Sequence, residues 1–288
     1  AENGKVIVSS SEVYFEFDKV TGMVTSYKVN GTEYFDKAFG VQPNFWRAPN
    51  DNDYGNSNPK RLQIWKESSR DFKVSDTAVR EEGETVLMSV TYDLPAGNQY
   101  LITYRIYRDG VVNVNVKFTP TNREAEKTEV LEDTNLATFT PGKKAKKKDV
   151  LEVPRIGVRF RIPHVMNRVE YFGRGPVENY IDRNAGSMVG RYKTSANDMY
   201  VNYVRPQENG HRTDTRWVSF TNTAGRGLLV LAEKTVGFNA LRNTVEDFDS
   251  EESSHPYQWR NRSPKEIADK NEAEAKNVLR RMTHVNDI

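Results

Sequence analysis

The chain has 288 residues, of which 36% are hydrophobic and 28% charged, and it includes 14 Tyr, 13 Phe and 4 Trp. A chain this rich in aromatic residues and this close to neutrality is not intrinsically disordered, and its length allows a sizeable buried core. The 42 Lys and Arg residues nearly balance the 40 Asp and Glu residues, so no strong field is available to hold a polyanion and nucleic acid is not an expected partner.

Cysteine and long apolar runs are both missing from the sequence. Without cysteine there are no disulfides or thiolate metal sites, and the redox compartment stays open. No run approaches the ~20 apolar residues that span a bilayer, so we expect a soluble chain with no membrane partner. The first residue is Ala1 rather than Met, and no secretory signal pattern follows it. We therefore expect a processed or excised piece whose localisation, cytoplasmic or periplasmic, is open.

Strands joined by tight turns are predicted along most of the chain. Val13–Asp18 and Met23–Val29 precede Asn30-Gly31, a dipeptide typical of hairpin turns that need positive φ. Alternating apolar residues over 100–106 and 112–118 predict a second hairpin through Asp109-Gly110, with one face packed and the other in water. Further strands are predicted at 84–94, 158–162, 168–172, 217–222 and 228–232.

Strands that dominate without alternating with helices predict an all-β antiparallel sandwich rather than a βαβ fold. One or two short helices are expected, at 59–70 and from the capping box Ser263-Pro264-Lys265-Glu266 to Met282. No repeat or linker requires a boundary, so we expect residues 1–288 to form one β-sandwich domain. The lysine-rich run at 143–148 is expected to be a solvated loop.

The first of three dense polar clusters spans residues 45–55. Its candidate residues are Trp46, Arg47, Asp51, Asn52 and Asp53. Carboxylates and amides beside Arg and Trp suit a sugar or cation site, but the same residues could make Asx turns that cap a helix at Pro59. A calcium loop is disfavoured, since the glycine and the terminal glutamate of that pattern are missing.

The second cluster spans residues 171–183. Its candidate residues are Arg174, Glu178, Asn179 and Asp182, with Arg183 adjacent. Gly173 and Gly175 begin like a dinucleotide fingerprint, but Pro176 follows and no third glycine opens a helix, so a nucleotide site is rejected. We expect a rigid loop in which Glu178 and Asp182 are salt-bridged to the neighbouring arginines.

The third cluster spans residues 203–217. Its candidate residues are Tyr203, Glu208, Asn209, His211, Arg212 and Trp217. His211 is the one histidine among carboxylates and arginines, so it is either an acid or base near neutral pH or a hydrogen-bonded structural residue. The other histidines lack metal-ligand spacing, and no nucleophile motif is present. We assign no catalytic residue, metal or cofactor.

Three segments carry a family resemblance: RAPNDNDYGN (47–56), GRGPVENYIDR (173–183) and DMYVNYVRPQENGHRTDTRW (198–217). In this order, with strands between them, they resemble the C-terminal small-chain domain of family 2 glycoside hydrolase β-galactosidases. The resemblance implies a large antiparallel β-supersandwich, similar to galactose mutarotase, within an enzyme that hydrolyses terminal β-D-galactosides.

The same resemblance implies which domain of the parent enzyme is catalytic and which is supporting. Its catalytic glutamate pair lies in a barrel outside this chain, while the small-chain module buttresses that barrel and shapes the carbohydrate site. The expected partners are the remaining domains and the galactoside substrate. Two alternatives stay open: an aldose epimerase using His211 with Glu208 or Asp214, and a free carbohydrate-binding module docking sugars through Trp46 and Trp217.

The end of the chain departs from the family pattern. The family continues into closing strands that carry a pocket aromatic residue, and we do not transfer that role to Trp259. We therefore expect a sandwich truncated at its C-terminal end, with an exposed sheet edge and apolar residues beside it. Such an edge would self-associate or be shielded by the 263–282 helix.

Overall fold

The structure is a computed structural model that describes residues 4–120, 152–203 and 207–248. The strands are β1 Lys5–Ser9, β2 Val13–Asp18, β3 Met23–Val29, β4 Thr32–Glu33, β5 Gln42–Asn44, β6 Lys73–Glu82, β7 Thr85–Asp93, β8 Gln99–Tyr107, β9 Val112–Thr119, β10 Gly157–Arg159, β11 Arg168–Gly175, β12 Met188–Ser195, β13 Arg212–Thr221 and β14 Gly227–Phe238. The α-helices are α1 Asp51–Gly55, α2 Asn58–Arg61, α3 Gln63–Ser68 and α4 Val245–Phe248. Single 3₁₀ turns lie at Asp36–Ala38 and Pro95–Gly97.

The first half of the chain forms two antiparallel sheets with a shared core. One has the strand order β1-β2-β3-β4 and the other β6-β7-β8-β9. Alternate residues of β8 are buried, as the sequence pattern predicts for a half-buried strand. Their side chains meet those of β2, with the Phe15 and Tyr104 ring centroids 5.5 Å apart. The large core cluster also includes Phe45 and Trp65, so the segment before α1 and helix α3 close the sandwich.

The two predicted hairpin turns are confirmed. Asn30 and Gly31 have φ values of 50° and 75°, as a type I′ turn requires. Gly110 has a φ of 90°, and a Cβ atom there would lie 2.7 Å from a Val29 methyl group. The Tyr27 hydroxyl donates to the Gly110 carbonyl at 2.5 Å. Glycine at this turn therefore lets the two sheets approach each other closely.

A third antiparallel sheet, with strand order β12-β11-β13-β14, belongs to the second half of the chain. Its inner face carries Val169, Tyr171, Val218 and Phe220, which form a second core cluster with Met166 and Met199. A two-stranded ladder of β5 and β10 links the two halves of the chain. The polar clusters lie mainly in the loops that leave these strands.

The structure confirms the all-β antiparallel sandwich. The strands predicted at 13–18 and 23–29 are present as β2 and β3, and the other predicted strands overlap β7–β11, β13 and β14. Strands β1, β4, β5, β6 and β12 were not predicted. No helix within the described ranges is long and apolar enough to cross a membrane.

The helix prediction needs correction. The described residues contain four short α-helices rather than one or two, and the single helix predicted at 59–70 is divided into α2 and α3 at Leu62, with φ −109° and ψ 14°. Asp51, Asn52 and Asp53 do not form Asx turns that cap Pro59, because they are the first turn of α1. The lysine-rich run, Trp259 and the 263–282 helix lie outside the described residues, and the single-domain organisation stays a prediction.

Candidate functional site

Arg47 and Asp53 form the centre of the first polar cluster. Arg47 Nη1 donates to Asp53 Oδ2 at 2.6 Å and Nη2 donates to Oδ1 at 2.9 Å, a bidentate pair. Asn58 Nδ2 donates to Asp53 Oδ1 at 2.8 Å. Asn50 and Asp53 also form a reciprocal capping box that starts α1. Asp53 as a whole is only 7% exposed, and its carboxylate therefore holds this loop together.

The other candidate residues of the first cluster occupy two different environments. Asp51 and Asn52 are exposed on α1, whereas Trp46 is 5% exposed and belongs to the large core cluster. Trp46 is therefore not an open aromatic platform for a sugar. An open cavity of about 240 Å³ lies beside the ion pair, lined by Trp46, Arg47, Pro49, Asp53, Asn58 and Pro154 among others.

The segment at 152–155 brings the first cluster next to the third. Glu152 pairs with Arg61 at 2.5 Å, and Pro154 lines the cavity. The next residue, Arg155, donates from Nη2 to Glu208 Oε1 at 2.5 Å. Adjacent Cα atoms are about 3.8 Å apart, so the cavity and the Glu208 site are neighbours.

The second and third clusters merge around Glu178. Its carboxylate accepts hydrogen bonds from Arg183 and Tyr203, and from the backbone N–H of Gly210 at 2.9 Å. The Arg183 guanidinium lies 4.8 Å from the Tyr180 ring centroid, a cation–π contact. Glu178 therefore ties the loop between β11 and β12 to the loop before β13.

Asn179 and Arg212 hold the same two loops from the buried side. Asn179 is 0% exposed, and its Oδ1 accepts from the Thr213 N–H at 3.0 Å. Arg212 is 3% exposed. Its Nε donates to the Tyr171 hydroxyl at 3.0 Å and its Nη2 donates to the Pro176 carbonyl at 3.0 Å. Two polar side chains that face the interior thus fix the base of the loop.

Asn209 and Asn239 complete the network near Glu208. The Asn209 amide makes paired hydrogen bonds with the Val201 backbone, at 2.9 Å to the N–H and 2.6 Å to the carbonyl. Asn239 Nδ2 donates to Glu208 Oε1 at 3.0 Å and to the Asn209 carbonyl at 2.5 Å. The Asn239 amide oxygen is therefore left to act as an acceptor.

His211 lies inside this network. Its Nδ1 is 2.8 Å from Asn239 Oδ1, so Nδ1 carries the donated proton. The ring stacks on Tyr180, with centroids 5.4 Å apart and planes 24° apart. Its far edge faces Gly237, where a Cβ atom would lie 2.6 Å from Nε2. Burial lowers the pKa of His211, which favours a neutral, half-buried imidazole with a structural role.

We expect this burial to make stability depend on pH. A histidine whose folded pKa is below the unfolded value binds fewer protons when folded, so protonation favours the unfolded state. The free energy of unfolding should therefore be unaffected by His211 above about pH 6.5 and should decline as the pH falls through the folded pKa. Urea unfolding between about pH 7.5 and 5.5 should therefore show a smaller loss of unfolding free energy in His211→Gln than in the parent chain. His164→Gln is the control, because His164 is exposed. An unchanged slope in His211→Gln would contradict this assignment.

Several predicted contacts in the second and third clusters need correction. Arg174 does not pair with Glu178 or Asp182; its Nε donates to Asp214 Oδ2 at 2.5 Å. Asp182 is exposed rather than buried. Trp217 lies half-buried on the outer face of its sheet, with the Arg191 guanidinium 5.8 Å from its ring centroid. It therefore does not join the His211 network.

Arg155 and Asn239 are network residues that the sequence did not single out. Each is isolated from the three motifs along the chain, and only folding brings it to Glu208. Across the described ranges, no group of three or more His, Cys, Asp or Glu residues could hold a metal ion.

Comparison with known proteins identifies the family. The family described as beta galactosidase small chain matches residues 9–270. A β-galactosidase of Priestia megaterium is 33% identical over 243 residues, which cover 84% of this chain and 20% of the relative. β-Galactosidases of Streptococcus thermophilus and Kluyveromyces lactis are 29% and 27% identical over 82% and 87% of this chain, and 20% and 22% of those relatives.

The chain thus spans about a fifth of the length of the curated relatives it matches. The matched family covers the three polar clusters and the strands that carry them. This chain therefore belongs to the β-galactosidase small-chain family.

Proposed function

We propose that the chain is a non-catalytic module of a β-galactosidase that cleaves terminal β-D-galactosides, where it buttresses the catalytic domain and shapes the carbohydrate site. The observation that carries this proposal is the internal pairing of its polar clusters. Asp53, Glu178 and Glu208 are each bonded to an arginine. A retaining glycosidase needs two carboxyl groups about 5–5.5 Å apart, one protonated and one ionised. An arginine partner favours the ionised form, so none of these three carboxylates suits the role of proton donor.

The loop between β11 and β12 supports a docking role. Arg212 and Asn179 fix its base, while Val177 and Ile181 on the loop are 63% and 91% exposed. Apolar side chains on a firmly held loop can bury surface against a neighbouring domain at little entropic cost. Since the matched residues make up only 20% of the Priestia megaterium relative, the rest of the parent polypeptide is the proposed partner.

Hydrolysis of a chromogenic β-galactoside tests the proposal. The isolated chain should give only background hydrolysis. In the complete parent polypeptide, Ile181→Asp should lower kcat/KM, whereas the same substitution in the isolated chain should leave the melting temperature unchanged because Ile181 is exposed. Turnover by the isolated chain that Glu178→Gln or Glu208→Gln abolishes would contradict the proposal.

The two other functions left open by the sequence receive less support. An epimerase would need His211 as a free acid or base, yet its Nδ1 is hydrogen-bonded to Asn239 and its ring stacks on Tyr180 and faces Gly237. A free carbohydrate-binding module would need an open aromatic face, but Trp46 is 5% exposed. Polarimetry of fresh α-galactose and calorimetric titration with galactose and lactose would detect these functions, and we expect no epimerisation and millimolar binding at most.

A further inference from the structure

The dipeptide Asn-Gly occurs three times in the sequence, beginning at Asn3, Asn30 and Asn209. Asparagine is chemically labile in proteins, and a following glycine favours the reaction because no Cβ atom hinders attack of its backbone nitrogen on the asparagine amide carbon. Asn3 lies outside the described residues. The structure places the other two dipeptides in opposite environments, so they should differ in reactivity.

The dipeptide Asn209-Gly210 is held at both of the groups that would react. Asn209 is 2% exposed, and its side-chain amide makes paired hydrogen bonds with the Val201 backbone at 2.9 and 2.6 Å. The Gly210 N–H donates to Glu178 Oε2 at 2.9 Å. The attacking nitrogen is therefore bound to a carboxylate, and the amide cannot turn toward it without breaking both hydrogen bonds to Val201.

The dipeptide Asn30-Gly31 forms the turn between β3 and β4. Both residues are exposed, and a Cβ atom at Gly31 would meet no atom within 4 Å. The Asn30 side-chain amide and the Gly31 N–H make no hydrogen bond within the described part of the chain. Strand β4 has two residues and its ladder with β3 has two pairs, so this turn can change conformation at small cost.

We propose that Asn30 is a site of spontaneous deamidation, at which water converts the amide to aspartate and isoaspartate while Asn209 stays intact. The difference is imposed by the fold, because the same dipeptide is free in one place and hydrogen-bonded at both reacting groups in the other. This inference goes beyond the proposed part in sugar hydrolysis and does not depend on it.

The reaction consumes one water molecule and releases one ammonia molecule, without a change of oxidation state. The backbone nitrogen of Gly31 loses its proton and attacks Asn30 Cγ. A bond forms between these two atoms, the Cγ–Nδ2 bond breaks, and Nδ2 leaves as ammonia with a proton taken from solvent. Water then opens the cyclic imide. Opening at Cγ gives aspartate, whereas opening at the backbone carbonyl carbon gives isoaspartate, whose main chain runs through Cβ and Cγ.

Isoaspartate at this turn should disturb the contact between the first two sheets. Val29 directly precedes the turn and lies so close to Gly110 that a Cβ atom there would be 2.7 Å from a Val29 methyl group. Isoaspartate adds a carbon atom to the main chain, which a two-residue hairpin turn does not accommodate without distortion. Aspartate keeps the length of the main chain and tolerates the positive φ of Asn30.

Peptide mapping of the full chain, kept folded at mildly alkaline pH, tests the proposal. We expect aspartate and isoaspartate to accumulate at position 30 at least about tenfold faster than at position 209, because reaction of Asn209 requires prior opening of its loop. In denaturing urea the two sites should react at similar rates, since each precedes glycine. Labelling by an isoaspartate methyltransferase would distinguish isoaspartate from aspartate.

Asn30→Asp is the matched variant, because it removes the reactive amide and keeps the length of the main chain. It should melt close to the parent chain, whereas the isoaspartate fraction of the aged parent chain should melt at a lower temperature. An intact Asn30 in the folded chain, or equal rates at positions 30 and 209, would overturn the proposal. A difference that persists in urea would overturn it as well, because sequence rather than structure would then be its cause.

Discussion

Arg47→Ala is expected to lower the free energy of unfolding by about 3 kcal/mol, at the lower end of the range for breaking a buried ion pair. The side chains of Arg47 and Asp53 are 26% and 10% exposed, so solvent weakens the pair only in part. Removal of the guanidinium leaves the Asp53 carboxylate partly buried and without its bidentate donor. Urea unfolding monitored by circular dichroism would measure the change.

Two companion variants define the cause of that loss. Arg47→Lys keeps the charge but not the two parallel donors, so it should retain only part of the stability. Asn52→Ala changes an exposed side chain of the same helix and should stay within about 0.5 kcal/mol of the parent chain. A loss below about 1 kcal/mol in Arg47→Ala would contradict the structural role and would favour a ligand-binding role for Arg47.

Arg212→Met is expected to cost about 3–5 kcal/mol, the largest loss among single changes in the second and third clusters. Arg212 is 3% exposed. Its guanidinium donates to the Tyr171 hydroxyl and to the carbonyls of Pro176, Gly210 and His211. Methionine fills a similar volume but leaves several buried acceptors without donors, and each unsatisfied group costs about 1–3 kcal/mol. Thermal and urea unfolding would measure the loss.

Arg216→Met is the matched control on the same strand. Arg216 lies on the outer face, where its guanidinium is 5.5 Å from the Phe172 ring centroid and Nη1 donates to the Asp214 carbonyl. Its replacement should cost less than about 1 kcal/mol. Hydrogen exchange should also show faster exchange of the loop between β11 and β12 in Arg212→Met but not in Arg216→Met. Equal losses in the two variants would contradict the proposed role of Arg212 in anchoring that loop.

Local patterns were sufficient to predict the hairpins and most of the central strands. Asn30-Gly31 and Asp109-Gly110 predict turns because glycine and asparagine tolerate positive φ, and alternation along β8 predicts its buried face. The resemblance to the small-chain domain, based on three motifs, is confirmed by the family match.

Strands with little apolar alternation could not be predicted in the same way. β6 and β12 carry charged residues at several positions, so their sequences show little apolar alternation. Their strand conformation depends on backbone hydrogen bonds to β7 and β11. A ladder formed mainly by the backbone leaves little trace in side-chain chemistry.

The sequence by itself determined the fold class, the turns and the set of polar residues from which the candidate site is built. Tertiary structure decided which of these residues meet. It selected Asp53 rather than Asp51 for Arg47, and Asp214 rather than a residue of the second cluster for Arg174. It also joined Arg155 to Glu208, 53 positions apart. Turn and strand preferences are properties of neighbouring residues, whereas ion-pair partners in a β-sandwich are fixed by strand order and register, which juxtapose residues far apart in the chain.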